Sequence, residues 1–141
     1  MEQISYYLSR LEKKGVKPTA IRLLVFRTML EMGRPVSLTE LGEQLETVDK
    51  STVFRTLNLF LAHRLVHAIA DGDGVLKYEV CANENSCSLD DMHVHFYCVN
   101  CHRTFCFKAI HIPLIELPAG FRMDSVNYMV KGLCSDCVTN R

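Results

Sequence analysis

The amino-acid sequence predicts an α+β fold with two domains, a helical N-terminal one and a smaller α/β one. Apolar residues recur at helical spacing in the first half, a repeated Asp-Gly turn separates two apolar runs, and two Cys-x-x-Cys motifs follow. The chain of 141 residues is 48% hydrophobic and 23% charged. These values are typical of a globular protein and exclude a disordered one.

Four helices are predicted in the N-terminal half, each with its own start or stop signal. The first ends near Gly15, and the second begins at residues 18–19, where Pro precedes Thr. Ser37 and Glu40 have the spacing of a capping box and start a short third helix. Residues 49–51 start the fourth.

Two strands are predicted next, from Leu65 to Ala70 and from Val75 to Val80, joined by Asp-Gly-Asp-Gly. Helices followed by such a hairpin form a winged helix-turn-helix, whose last helix enters the DNA major groove. The outer face of the fourth helix is predicted to offer Thr52, Arg55 and Thr56 to bases or phosphates. Winged helices also bind proteins, so this pattern by itself leaves both partners open.

The net charge is zero, but residues 1–30 carry six Lys or Arg against two Glu. Lys14 and Arg22 belong to this basic stretch, which indicates either a phosphate-binding face or a solvated helix surface. Phe54 has two readings as well, contact with a thymine methyl or sugar, or a partly buried core aromatic.

The two Cys-x-x-Cys motifs are Cys98 to Cys101 and Cys134 to Cys137. Zinc takes four thiolates in a tetrahedron, and a spacing of two residues lets one turn present two sulfurs to one ion. A disulfide framework or a redox motif is the alternative. Two copies in a chain with seven cysteines, an odd number, favour structural zinc.

The composition changes after Cys81, so we predict domains at 1–82 and 83–141, joined by a polar loop. Strands are predicted over 93–97, 104–107 and 121–131, with prolines leaving little room for a long helix between them. A domain this small is expected to need the structural zinc for stability, and a homodimer interface would bury more of its apolar surface. The sequence has neither a signal-peptide core nor a membrane-length apolar run, so we expect a cytoplasmic protein with reduced thiols.

Four stretches together resemble the ferric uptake regulator superfamily of dimeric, metal-responsive bacterial repressors. They are Lys17-Pro18-Thr19-x-x-Arg22, Ser51-Thr52-Val53-Phe54-Arg55-Thr56-Leu57, His93-x-His95-x-x-Cys98-x-x-Cys101 and Gly132-Leu133-Cys134-x-x-Cys137. The resemblance covers nearly the whole chain and implies a homodimer on a double-stranded DNA operator. With the helix pattern and the basic stretch, the predicted DNA-binding residues are Lys14, Arg22, Ser51, Thr52, Phe54, Arg55 and Thr56. Phe54 replaces a tyrosine usual in that family, and the usual helix between the C-terminal strands is shortened or lost.

A second, regulatory metal is also expected from the resemblance. Its candidate ligands are His67, Glu79, Cys81, Cys87, His93, His95 and Cys106. The spacing of His93 and His95 puts both imidazoles on one face of a strand, although such a pair is often only surface decoration. Cys106 stands where iron- and peroxide-sensing members have a carboxylate, and soft thiolates suit zinc better than ferrous iron.

The zinc-uptake branch offers a closer parallel, with His67 at the start of the wing, Cys81 at its end and His93 or His95 downstream. Cys87 competes with Cys81, and each free cysteine could instead be a plain buried residue.

The predicted function is a metal-responsive repressor of metal-uptake genes, with structural Zn²⁺ and with Zn²⁺ as the sensed metal. Fe²⁺ or Mn²⁺ sensing and a redox signal are alternatives within the superfamily. Outside it, the alternatives are a zinc-ribbon adaptor that binds protein and a thiol enzyme with Cys106 near His102. The enzyme is disfavoured, because nothing in the sequence orients a base.

Overall fold

The computed structural model describes residues 2–70, 74–80, 93–111, 113, 115–123, 126 and 128–139. The chain divides into two compact units, 1–87 and 88–141. The predicted domain boundary, between residues 82 and 83, lies outside the described residues. None of the helices in the described part is long and apolar enough to cross a membrane.

The first unit has the four predicted helices and the predicted hairpin. Its elements are α1 (Glu2–Lys13), α2 (Ala20–Met32), β1 (Val36–Ser37), α3 (Leu38–Gln44), α4 (Lys50–Ala62), β2 (Val66–Ala70) and β3 (Leu76–Val80). The strands form an antiparallel sheet in the order β1-β3-β2. The short β1 was not predicted, and the Asp-Gly turn between β2 and β3 falls partly outside the described residues.

Local capping explains where α2 and α3 begin and end. The Thr19 side chain accepts a hydrogen bond from the Arg22 backbone N–H at 3.2 Å, which satisfies a donor that the helix leaves open. Gly33 ends α2 with a φ of +64°, a conformation that costs glycine little. Ser37 and Glu40 form the predicted capping box at the start of α3, with both reciprocal hydrogen bonds present.

Helix α4 packs against the core of this unit through one face. Val53, Leu57 and Phe60 of α4 are fully buried. The Phe60 ring meets the Phe26 ring of α2 edge-on, with centroids 6.2 Å apart, a favoured aromatic geometry. Because this face is buried, the opposite face of α4 is exposed.

The second unit is a sheet followed by a short helix. Its elements are β4 (His93–Cys98), β5 (Thr104–His111), β6 (Tyr128–Gly132) and α5 (Ser135–Thr139). The strand order is β5-β4-β6, with β4 antiparallel to β5 and parallel to β6.

Two C-terminal predictions were wrong. The strand expected over 121–131 is observed only as β6, Tyr128–Gly132; at its expected start Phe121 instead donates its N–H to the Pro118 carbonyl, in a turn where Gly120 has a φ of +92°. The five-residue helix α5 was not predicted, since the second cysteine motif had been expected to form a turn. No helix occurs among the described residues between β5 and β6 (113, 115–123 and 126), as the prolines predicted.

Candidate metal centre and nucleic-acid interface

The four motif cysteines come together at one end of the second unit. Cys98 ends β4 and Cys101 follows in the turn to β5, while Cys134 precedes α5 and Cys137 lies within it. All four sulfurs lie within 4.8 Å of one another, and the Cys101 and Cys134 sulfurs are 3.8 Å apart. A disulfide would need about 2.05 Å, whereas four thiolates around one zinc at about 2.3 Å are about 3.8 Å apart. The arrangement therefore fits a metal held by four thiolates.

Backbone amides surround the Cys98 sulfur, which is completely buried. The N–H of Cys101 donates to it at 3.5 Å and the N–H of Cys134 at 3.4 Å. Burial opposes ionisation, but these amides and that of Asn100 lower the pKa of Cys98 to about 5. The Asn100 side chain lowers the pKa of Cys137, yet burial and the neighbouring thiols raise it to about 11. Four adjacent thiolates thus need a cation among them to ionise together.

Two side chains that sequence reasoning missed also donate to this cluster. The Asn100 amide donates to Cys137 Sγ at 3.3 Å, and Arg103 Nε donates to Cys101 Sγ at 3.3 Å. The only sequence signal for them is their position, inside the first motif and two residues after it. Hydrogen bonds from such neighbours orient metal ligands and tune their basicity.

In the first unit, His67 and Glu79 lie opposite each other on β2 and β3. The imidazole Nε2 and the carboxylate Oε2 are 2.8 Å apart. Glu79 is buried, whereas the His67 side chain is 40% exposed. Two potential sensor ligands are thus held in contact by strand register.

In the second unit, His95 faces Cys106 across the β4–β5 pair. A ring nitrogen of His95 and the Cys106 sulfur lie within 4.8 Å, with His95 buried and Cys106 half-buried. His93 begins β4, but its side chain is outside the described residues. Cys81 and Cys87 also fall outside them.

Five of the predicted DNA-binding residues lie on α4. Ser51 and Arg55 are exposed, Thr52 is half-buried, and Phe54 is 44% exposed, which argues against a core position for that ring. Thr56 lines the same groove as Thr52 and Arg55, but it is less accessible than the sequence predicted. It is buried, and its hydroxyl donates to the Thr52 carbonyl at 2.8 Å.

A groove of about 400 Å³ runs between α4 and the start of α2. Arg22 and Arg55 line it from the two helices, and Arg22 also donates to the Lys17 carbonyl at 2.8 Å. Lys14 lies elsewhere on this unit, where burial and the neighbouring Arg10 and Arg64 lower its pKa. Arg64 is exposed and is a cation that sequence reasoning missed, whereas Arg10 is buried with its guanidinium against the rings of Tyr6 and Phe26.

A sequence model of the ferric uptake regulator family matches residues 13–119. The chain belongs to this family. The ferric uptake regulation protein of Campylobacter jejuni is 31% identical over 137 residues, which cover 90% of this chain and 83% of that protein. Family members are metal-responsive transcription regulators, so the prediction of a regulator rather than an enzyme is confirmed.

Solved structures of family members have the same fold. The Helicobacter pylori ferric uptake regulator Fur, described with three functional metal-binding sites, matches with a TM-score of 0.64 and 17% identity. That match covers 96% of this chain and 93% of the other. A zinc uptake regulator in complex with zinc and DNA matches with a TM-score of 0.66 and 20% identity, covering 99% and 95%. These matches confirm the predicted α+β fold with its two parts and leave the metal open, because one relative is an iron regulator by name and the other contains zinc.

Proposed function

We propose that this member of the ferric uptake regulator family is a zinc-sensing repressor of metal-uptake genes. It binds double-stranded operator DNA as a homodimer in the cytoplasm, and it carries one structural and one regulatory metal site. Family membership supports the metal-responsive regulator. The zinc signal and the residues that read it are our proposal.

The structural site consists of Cys98, Cys101, Cys134 and Cys137. Their sulfurs lie within 4.8 Å of one another, and the one pair at 3.8 Å has the separation of two ligands on a tetrahedral zinc, an ion that prefers thiolates. The core cluster described around them consists largely of the cysteines themselves. A metal ion is therefore the expected source of stability for this small unit.

The pairing of His95 with Cys106 carries the zinc assignment. Iron-type sensor sites are expected to use nitrogen and oxygen, whereas this pair brings an imidazole and a sulfur within 4.8 Å. Imidazole and thiolate together suit zinc rather than ferrous iron or manganese. His67 and Glu79 add a second preassembled pair of zinc-compatible ligands in the wing.

Regulation follows from where the predicted ligands lie in the sequence. The candidate ligands occur in the sequence on both sides of the predicted domain boundary. A dimer must present its two recognition helices one DNA turn apart, and zinc binding is proposed to favour the state that does so. By linkage, operator DNA then tightens zinc binding by the same factor.

DNA binding is assigned to α4, with Arg55 as base or phosphate reader. The other contacts are assigned to Ser51, Thr52, Phe54 and Thr56 of the same helix. Arg22 and Lys14 supply phosphate contacts, which are less dependent on sequence. The exposure of Arg55 on the groove next to Arg22 supports this role.

Metal analysis combined with operator titration tests the proposal. The purified protein, with an operator selected from genomic fragments, is titrated with Zn²⁺, Fe²⁺ and Mn²⁺ after removal of the weakly held metal. We expect two zinc ions per chain when saturated, one of them resistant to mild chelation, and operator binding that depends on the second. Operator affinity that is equal with and without chelator, while the resistant zinc stays bound, would refute the sensor. A response to Fe²⁺ or Mn²⁺ alone would refute the zinc assignment.

A further inference from the structure

Arg103 contacts both cysteine motifs of the second unit. Besides the bond from Nε to Cys101 Sγ at 3.3 Å, its Nη2 lies 3.9 Å from Cys134 Sγ. Nη2 also forms an ion pair with Asp136 at 3.2 Å, and the guanidinium carbon lies 5.6 Å from the centre of the Phe105 ring. Four groups from separate parts of the unit therefore fix the orientation of this guanidinium.

The charge of the cluster gives this contact its chemical meaning. Four thiolates around a divalent ion carry a net charge of minus two, and an N–H donor on a cation forms a charge-assisted hydrogen bond with such a sulfur. The bond withdraws electron density that the sulfur would otherwise donate to the metal. The Asp136 side chain is 74% exposed, so water screens most of its opposing charge.

We infer that Arg103 is a positioning residue of the four-cysteine metal centre, joining the two Cys-x-x-Cys motifs and weakening electron donation from Cys101 and Cys134. The inference rests on the proposed metal centre. Arg103 follows the first cysteine motif and contacts Cys134 and Asp136 of the second, 31 and 33 positions further along the chain. It therefore links the two motifs directly. It acts on the ligands and does not itself coordinate the ion.

Cobalt substitution tests this role, because sulfur-to-cobalt charge-transfer absorption reports electron donation by the thiolates directly. The full-length protein is used with the three cysteines outside the cluster, Cys81, Cys87 and Cys106, replaced by Ser. Arg103→Met removes the charge and the N–H donors at similar side-chain length. Asp136→Asn breaks only the outer ion pair, and Lys131→Met removes an exposed cation of the same unit as the matched control.

We expect Arg103→Met to move the charge-transfer band to longer wavelength, because the sulfurs then donate more strongly. We also expect about 10-fold weaker metal binding, seen as faster release to a competing chelator, because losing the group that orients ligands of both motifs outweighs the stronger donation. Asp136→Asn and Lys131→Met should leave the band in place. If Asp136→Asn reproduced the Arg103→Met shift, the band position would depend on the ion pair and not on the hydrogen bonds to sulfur, and the inference would fail. If Arg103→Met does not fold, Arg103→Lys, which keeps the charge with a single donor centre, should give a smaller shift. An unmoved band in that variant would overturn the inference.

The wild-type spectrum separates this inference from the metal centre itself. A protein with no thiolate–cobalt band would overturn both. A normal band that is identical in wild type and Arg103→Met, with equal release rates, would overturn only the role of Arg103.

Discussion

Replacing Cys98 with Ser should unfold the C-terminal unit while leaving the winged helix folded. Cys98 is completely buried, and its sulfur accepts backbone hydrogen bonds from Cys101 and from Cys134, one in each motif. A serine hydroxyl is a poor zinc ligand, so the substitution leaves three thiolates and an open position.

The expected magnitude follows from the small core cluster around the cysteines. Four of the seven residues in the core cluster described there are the motif cysteines, and the remainder are Phe96, Phe105 and Leu133. A structural zinc site contributes about 10–16 kcal/mol of apparent binding energy. That amount is comparable to the total stability of an ordinary domain, about 5–15 kcal/mol. Loss of the metal should therefore unfold the unit rather than loosen it.

Hydrogen exchange and metal analysis on Cys98→Ser measure this outcome. We expect the loss of about one zinc per chain and of amide protection in β4, β5 and β6, with protection in α2 and α4 retained. Cys106→Ser makes the same substitution in the same unit at a proposed sensor ligand, so it is the matched control for folding: it should keep the chelator-resistant zinc and the amide protection of the C-terminal unit. A Cys98→Ser protein that keeps its full zinc content and its C-terminal protection would refute the reasoning.

Three further predictions concern the rest of the molecule. Arg55→Ala should cost about 1–3 kcal/mol of operator affinity in a binding titration if the side chain reads a base. Unchanged binding would show that α4 does not enter the DNA major groove. Phe60→Ala should lower the free energy of unfolding of the first unit by about 3–5 kcal/mol, because the ring is fully buried against Phe26; a loss in denaturant unfolding no larger than that of the exposed Phe54→Ala would contradict this packing. His95→Ala should leave a folded dimer that is one zinc short and no longer binds operator in response to zinc, and a normal zinc response would exclude His95 from the sensor.

The helices of the first unit could be predicted because their signals are local. Thr19, Gly33 and the Ser37–Glu40 pair act on backbone groups within a few residues, so the printed sequence contains both partners of each interaction. The cysteine spacing is local in the same sense. Each motif presents two sulfurs through one short segment. A metal ion with four sulfur ligands takes two from each motif.

The features that could not be predicted from the sequence depend on contacts between residues far apart in the chain. The burial of Thr56 at the edge of the groove follows from how far the core extends around α4, and periodicity defines that edge only to within a residue or two. The late start of β6 at Tyr128 reflects where β4 offers a pairing partner, since an extended segment becomes a strand only when a neighbour bonds to it.

The contacts of Arg103 show the same limit at the proposed metal centre. Its distance from Cys101 in sequence is two residues, but its approach to Cys134 and Asp136 exists only because β4 and β6 pair in parallel and bring the second motif alongside the first. The sequence by itself therefore determined which residues can bind metal and where the helices begin and end. Folding decided which of those residues meet and which neighbours modify them, because such contacts arise from long-range pairing that no local pattern encodes.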